Sequence, residues 1–192
     1  QPWLLNQFTG VTPGFCRAPV EALALHRLRR AFPDVLALDP VAGATGWTIV
    51  TLDKKRPGQA LEVGRRLAQG SISAKIIVVV DKDVDGTNTG EVLHAIASRW
   101  QPVPATEILA DMPGMPLDPS TPVRGKSSKI IIDATRQWPG EGGPAVFQER
   151  NRDLLARLAP GALAGVDARW ERYLEGWPAG GGTGRGFPGS TP

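Results

Sequence analysis

Apolar positions along the chain alternate between two periods. Over residues 19–31, Val20, Leu23, Ala24, Leu28 and Ala31 recur at helical spacing, which places them on one face of an amphipathic helix. Arg27, Arg29 and Arg30 gather near its C-terminal end, where the helix dipole favours cations, and Pro33 stops it. Residues 35–38 and 47–52 read as strands separated by the turn-forming Gly43 and Gly46. A second helix follows over 59–69, with Pro57 and Gly58 at its start and Gly70 just beyond its end. Residues 75–80 carry an unbroken Ile and Val run, apolar on both faces, and so predict a central strand.

A third helix is expected over 89–100, burying Val92, Leu93, Ile96 and Ala97. Strands at 106–109 and 129–133 flank a Pro- and Gly-rich connection, residues 112–125, whose length marks it as functional or mobile. Two last helical stretches, 149–158 and 166–177, carry the apolar sets Leu154, Leu155, Leu158 and Trp170, Leu174, Trp177, placed outside the sheet or against a partner. The fold class is therefore α/β: a mixed, largely parallel sheet flanked by helices, with C-terminal helices available for assembly. Residues 1–18 read as an irregular linker, 19–177 as the α/β domain and 178–192 as a Gly/Pro-rich disordered tail. The first residue, Gln1, and the prolines after it look like an excised or processed start.

Composition narrows the function. A net charge of +3 in 192 residues, with basic and acidic residues interleaved, gives no stripe for gripping phosphates, so nucleic acid is not expected as a partner. No apolar run approaches the roughly 20 residues that cross a bilayer, so no membrane partner is expected. The single cysteine, Cys16, excludes an intrachain disulfide and a C-x-x-C site, and a cytoplasmic location fits. Nothing places a base beside Cys16, and His26 and His94 lie far apart in separate predicted helices, without a companion at metal-ligand spacing.

Several motifs fail on inspection. Asp81, Asp83, Asp85 and Gly86 reproduce the first half of a calcium loop, but its twelfth position is Val92, with Glu91 one residue early. The plainer reading has acidic residues capping a turn and the helix after it, at the carboxyl edge of a sheet where ligands bind in open α/β folds. Gly184, Gly186 and Gly189 have dinucleotide spacing but follow no strand, and no lysine follows a glycine loop as in a P-loop. Lys126, Ser127, Ser128 and Lys129 lead into the strand at 130–132; they suit either an anionic ligand or a solvated strand start.

Six stretches, taken in order, resemble one family. Residues 75–85 (KIIVVVDKDVD) and 91–99 (EVLHAIASR), with 32–35 (FPDV), 54–59 (KKRPGQ), 116–119 (PLDP) and 128–139 (SKIIIDATRQWP), are similar to the motifs of UbiD decarboxylases, a likeness spanning about residues 20–177. The resemblance implies reversible nonoxidative decarboxylation of an aromatic or α,β-unsaturated acid, with prenylated FMN held with manganese and potassium in a preceding region. That region would also supply the catalytic acids, and nothing in this chain matches it.

On this reading the chain corresponds to the C-terminal domain, which builds dimers or hexamers and closes over the active site. Its partners are then the N-terminal cofactor-binding region, further copies of itself and a small aromatic acid, and the chain alone is expected to be inactive and to hold no cofactor. The resemblance places Lys129, Ser128 and Ser127 toward the cofactor and the 112–125 loop toward the substrate. Arg99, Asp81, Asp83, Asp85, Asp118 and Asp133 are expected to serve as caps, turn formers and ion pairs. The alternative is a free-standing α/β binding or regulatory module using the turn from Asp81 to Gly86 for a small ligand or metal.

Overall fold

The structure, a computed structural model, describes residues 12–41, 46–70, 74–116, 118–147 and 151–175. The chain forms two compact units, Gln1–Ala145 and Val146–Pro192. In the first, the elements run α1 (Thr12–Ala31), β1 (Val35–Pro40), β2 (Trp47–Leu52), α2 (Gln59–Gly70), β3 (Ile76–Asp81), α3 (Thr89–Arg99), β4 (Thr106–Pro113) and β5 (Lys126–Ala134), then a 3-10 turn at Pro139–Glu141.

The five strands make one sheet in the order β1-β2-β3-β5-β4. Its three inner strands are parallel, Val78 pairing with Ile49 on one side and Ile132 on the other, while β1 and β4 run antiparallel at the edges. The mixed α/β architecture expected from the sequence is thus present. The Ile and Val run of β3 lies at the centre because both sheet faces are covered. Ile77 and Val79 face a core with Leu28 of α1 and Val63 and Leu67 of α2. Val78 and Val80 face the opposite way, packing with Ile49, Ile132 and Val92 and Ala95 of α3. Gly64 lets α2 approach β5 closely: a Cβ there would stand 2.3 Å from Ile131 Cγ2.

Three boundaries differ from expectation. Helix α1 begins at Thr12, within the stretch expected to be irregular, with Pro13 in its first turn where a missing N–H is tolerated. Strand β4 continues to Pro113, because its register slips between Leu109 and Met112, where Asp111 takes φ 53°; the slip breaks the alternation that marks a strand in sequence. Strand β5 starts early, at Lys126, so the Pro- and Gly-rich connection shortens to residues 114–125.

The second unit holds α4 (Asn151–Leu158), α5 (Ala162–Asp167) and α6 (Trp170–Leu174). Gly161, at φ 90°, turns the chain between α4 and α5. The helix expected over 166–177 is broken at residues 168–169. Leu155, Leu158, Trp170 and Tyr173 are exposed. Trp177, the tail 178–192 and its glycines, and residues 1–11 lie outside the described residues. Among the described residues no helix is long and apolar enough to cross a membrane.

Candidate functional site

Parallel strands deliver their following loops to a common edge. Beyond Leu52, Asp81 and Ala134 come Lys54, Asp83 and the segment Thr135, Arg136 and Gln137. Strand β4 starts at this same edge, Thr106 opposite Ile132, so α3 ends near it and brings Arg99 to the loops. The edge thereby collects charged groups from the loops after β2, β3 and β5 and from the end of α3.

Two linked networks result. Arg99, almost wholly buried, donates Nη1 to Asp81 Oδ2 and Asp83 Oδ1, and Nη2 to Asp83 Oδ2, each at 2.8 Å. Arg136 joins the same carboxylates, its backbone N–H on Asp81 Oδ2 at 2.6 Å and its Nη2 on Asp83 Oδ2 at 3.0 Å. Burial is the largest influence on Asp81 and lifts its carboxyl above the ordinary range, against the Arg136 N–H and the Arg99 charge. On Arg99 burial acts in the lowering direction, yet the two aspartates outweigh it and its pKa is raised.

The second network centres on Lys54. Its Nζ reaches Glu141 Oε2 at 2.7 Å, Thr135 Oγ1 at 2.9 Å and the Arg136 carbonyl at 3.3 Å, with Asp133 Oδ2 at 3.7 Å. Glu141 also accepts from the backbone N–H of Gly58 at 2.7 Å and of Trp138 at 2.8 Å. Burial would raise the Glu141 pKa, but the Lys54 ammonium and these two N–H groups outweigh it and hold the carboxyl below its usual range. Asp133 Oδ1 accepts from both the N–H and the hydroxyl of Thr135, at 2.9 and 2.5 Å, closing the turn after β5. Each carboxylate named here accepts from at least one donor, so the arrangement fixes loops to the sheet edge.

Around the turn of residues 81–86, Asp81 and Asp83 are engaged by arginines, and Asp85 Oδ1 accepts from the N–H and hydroxyl of Thr87. The α3 cap is Asn88, whose Oδ1 accepts from Gly90 and Glu91, in place of the aspartate expected from sequence. Among the described residues no group of three or more His, Cys, Asp or Glu could hold a metal ion. Asp118 pairs with Lys75 at 2.8 Å. Of the residues assigned structural roles, Arg99, Asp81, Asp83, Asp85, Asp118 and Asp133 thus all sit in caps, turns or ion pairs.

Lys129, Ser128 and Ser127 occupy the opposite, amino edge, because they open β5. Lys129 is buried and donates to the Ala68 carbonyl at 2.7 Å near the end of α2, and burial pulls its pKa down to about 8. Ser127 and Ser128 line a cavity of about 240 Å³ with Lys75, Asp111, Ser120 and Lys126. That volume falls below the roughly 300–1,000 Å³ of small-molecule sites, and the Lys129 amine turns to α2 instead. These residues do not fit a flavin mononucleotide by themselves.

Sequence reasoning missed Lys54, Arg136 and Glu141 as partners. For Glu141 a local signal exists: it lies three residues after Trp138, the spacing at which a carboxylate reaches back to the first free N–H of a helical turn.

The family model described as 3-octaprenyl-4-hydroxybenzoate carboxy-lyase C-terminal domain (UbiD_C) matches residues 15–134. A phenolic acid decarboxylase of Sedimentibacter hydroxybenzoicus is 36% identical over 125 residues, covering 64% of this chain and 26% of that protein. The closed form of the vanillic acid decarboxylase of the same organism superposes with a TM-score of 0.63 at 31% identity, over 80% of this chain and 30% of that one. The UbiD-class enzyme HmfF from Pelotomaculum thermopropionicum, solved in complex with FMN, gives a TM-score of 0.58 at 30% identity, over 72% of this chain and 32% of that one. The chain thus spans about a quarter to a third of the length of these relatives.

Proposed function

The chain belongs to the UbiD carboxy-lyase family through its C-terminal domain, and from that membership we propose that it is the assembly-forming and active-site-closing part of a decarboxylase. The reaction is reversible nonoxidative (de)carboxylation of an aromatic or α,β-unsaturated acid. In support, the relatives it matches bear the names phenolic acid decarboxylase and vanillic acid decarboxylase. Prenylated FMN, with manganese and potassium, belongs in this reading to a preceding N-terminal region, and the present residues act on the reaction only through position and assembly.

The observation that carries the reading is the engagement of every carboxylate named at the carboxyl edge. An edge whose named carboxylates are all engaged suits a platform against which another domain closes, whereas a reacting carboxyl needs an open side toward substrate. The free-standing module is disfavoured on the same ground, since Asp81 and Asp83 are engaged by Arg99 and Arg136.

Two preparations test this. The purified chain, incubated with FMN and passed through gel filtration, is expected to emerge without flavin absorbance and to release no carbon dioxide from hydroxybenzoates. A chimera in which residues 19–177 replace the corresponding segment of the Sedimentibacter phenolic acid decarboxylase is expected to assemble and decarboxylate. Flavin retained by the chain alone, together with turnover, would overturn the proposal.

A further inference from the structure

A second cavity, of about 420 Å³, opens on the α3 side of the sheet between the β1–β2 hairpin and the start of α3. Its walls include Val41, Trp47, Ile49, Val92 and Leu93, with the hydroxyl residues Thr87 and Thr89 at one side. Its volume lies within the range of small-molecule sites. Asp39 is the one titratable residue of the lining, and among the described residues its carboxyl makes no hydrogen bond or ion pair. It is half-buried and lies beside apolar walls, and among the described residues nothing of opposite charge stands beside it. Asp85 and Glu21 add to the negative potential there, and together with burial, the largest influence, they raise the Asp39 pKa.

A partly buried carboxyl beside an apolar cavity, without a partner among the described residues, is a position where a cationic guest is favoured. A metal ion is the wrong guest, since it needs several oxygen ligands and the lining offers a single carboxylate in mainly apolar surroundings. An organic cation matches on both counts: its apolar body fits against Val41, Ile49 and Val92, its charge answers Asp39, and the Trp47 ring offers a face for cation–π contact. Gly86 keeps the geometry open, for a Cβ at that position would stand 2.7 Å from Asp39 Oδ2 and 3.1 Å from Thr51 Oγ1. We propose that this cavity is a binding site for a small primary amine with an apolar, aromatic-sized body, held by an ion pair to Asp39 and separate from the carboxyl-edge ion network.

The test uses the full 192-residue chain, ¹⁵N-labelled, with benzylamine as probe and benzyl alcohol and benzoate as controls of equal size. The reporter is the Trp47 indole N–H, assigned with Trp47→Phe. Benzylamine is expected to shift it saturably with an affinity about tenfold better than benzyl alcohol, the scale of one charge-assisted contact, and benzoate is expected to leave it unmoved. Asp39→Asn should bring benzylamine to the level of the alcohol. Gly86→Ala, which displaces the carboxyl without removing it, should weaken the amine and spare the alcohol, and it keeps the test decisive if Asp39→Asn does not fold. Equal affinity for amine and alcohol in the unaltered chain, or an amine advantage that survives both substitutions, would overturn the proposal. So would Trp47 shifts that depend on protein concentration without amine, since a second copy would then be filling the cavity.

Discussion

Arg99 meets Asp83 in a two-pronged fork, Nη1 on Oδ1 and Nη2 on Oδ2, both at 2.8 Å. The pair ties the last turn of α3 to the loop that precedes the same helix, and Asp81 at the end of β3 takes the remaining reach of Nη1. Bidentate geometry of this kind belongs to the planar guanidinium and is not reproduced by an ammonium.

Arg99→Ala should therefore lower stability by about 2–4 kcal/mol, because two carboxylates lose their buried counter-charge. Arg99→Lys should recover only part of that loss. Urea unfolding midpoints for the three proteins check the order; a lysine variant as stable as the parent would show that the fork itself contributes nothing.

Glu141 contributes to the acid limb of the stability curve. Its folded pKa lies below the ordinary 4.5, so on acidification the unfolded chain takes up the proton first. The stabilisation is fully present above about pH 4.5 and is lost as pH falls through the lower folded value. Glu141→Gln should cost about 1–3 kcal/mol at neutral pH, through the weakened bonds from Lys54, Gly58 and Trp138, and should flatten the slope between pH 5 and pH 3. Thermal unfolding across that interval reads both effects.

Lys129 gives a rise in the same direction at the alkaline end, because burial disfavours its charged form. Burial brings its folded pKa to about 8 from 10.5, so between those values the unfolded chain binds more protons and stability rises with pH. Lys129→Met should abolish that rise. Urea midpoints at pH 7, 8.5 and 10 measure it, and an unchanged slope in the variant would assign the rise to another group.

In the second unit, Trp170 and Tyr173 present exposed rings on the short helix α6. Large exposed aromatics suit the buried centre of a protein contact. Sedimentation at rising concentration should show self-association of the chain, and Trp170→Glu should shift it toward monomer while leaving the circular dichroism unchanged.

How far the residues alone reveal this architecture varies by element. Strand β2 is readable to its ends, because Trp47 to Leu52 is an aromatic, aliphatic and β-branched run between turn residues. Helix α2 and strand β3 were equally clear, since burial on one or two faces imprints a period on the sequence. Strand β4 was not, because at an edge only part of each face is covered and its register slips after Leu109. The ion network was legible only on one side of each pair. Arg99 and Asp83 fall within recognisable motifs, but the contact of Lys54 with Glu141 joins segments far apart in the chain, and no local pattern encodes it. Lys129 was found as a candidate from its motif; its burial against Ala68 depends on how α2 packs over β5.

The two outer strands share a further property. Each is interrupted by a register slip, near Val35 in β1 and after Leu109 in β4, and each finishes at a proline, Pro40 and Pro113, which has no N–H to give. Such margins are poor templates for another chain's backbone. The sheet is in effect hemmed on both sides: it resists growth by added strands, and neighbours must approach through side chains on its helices and loops.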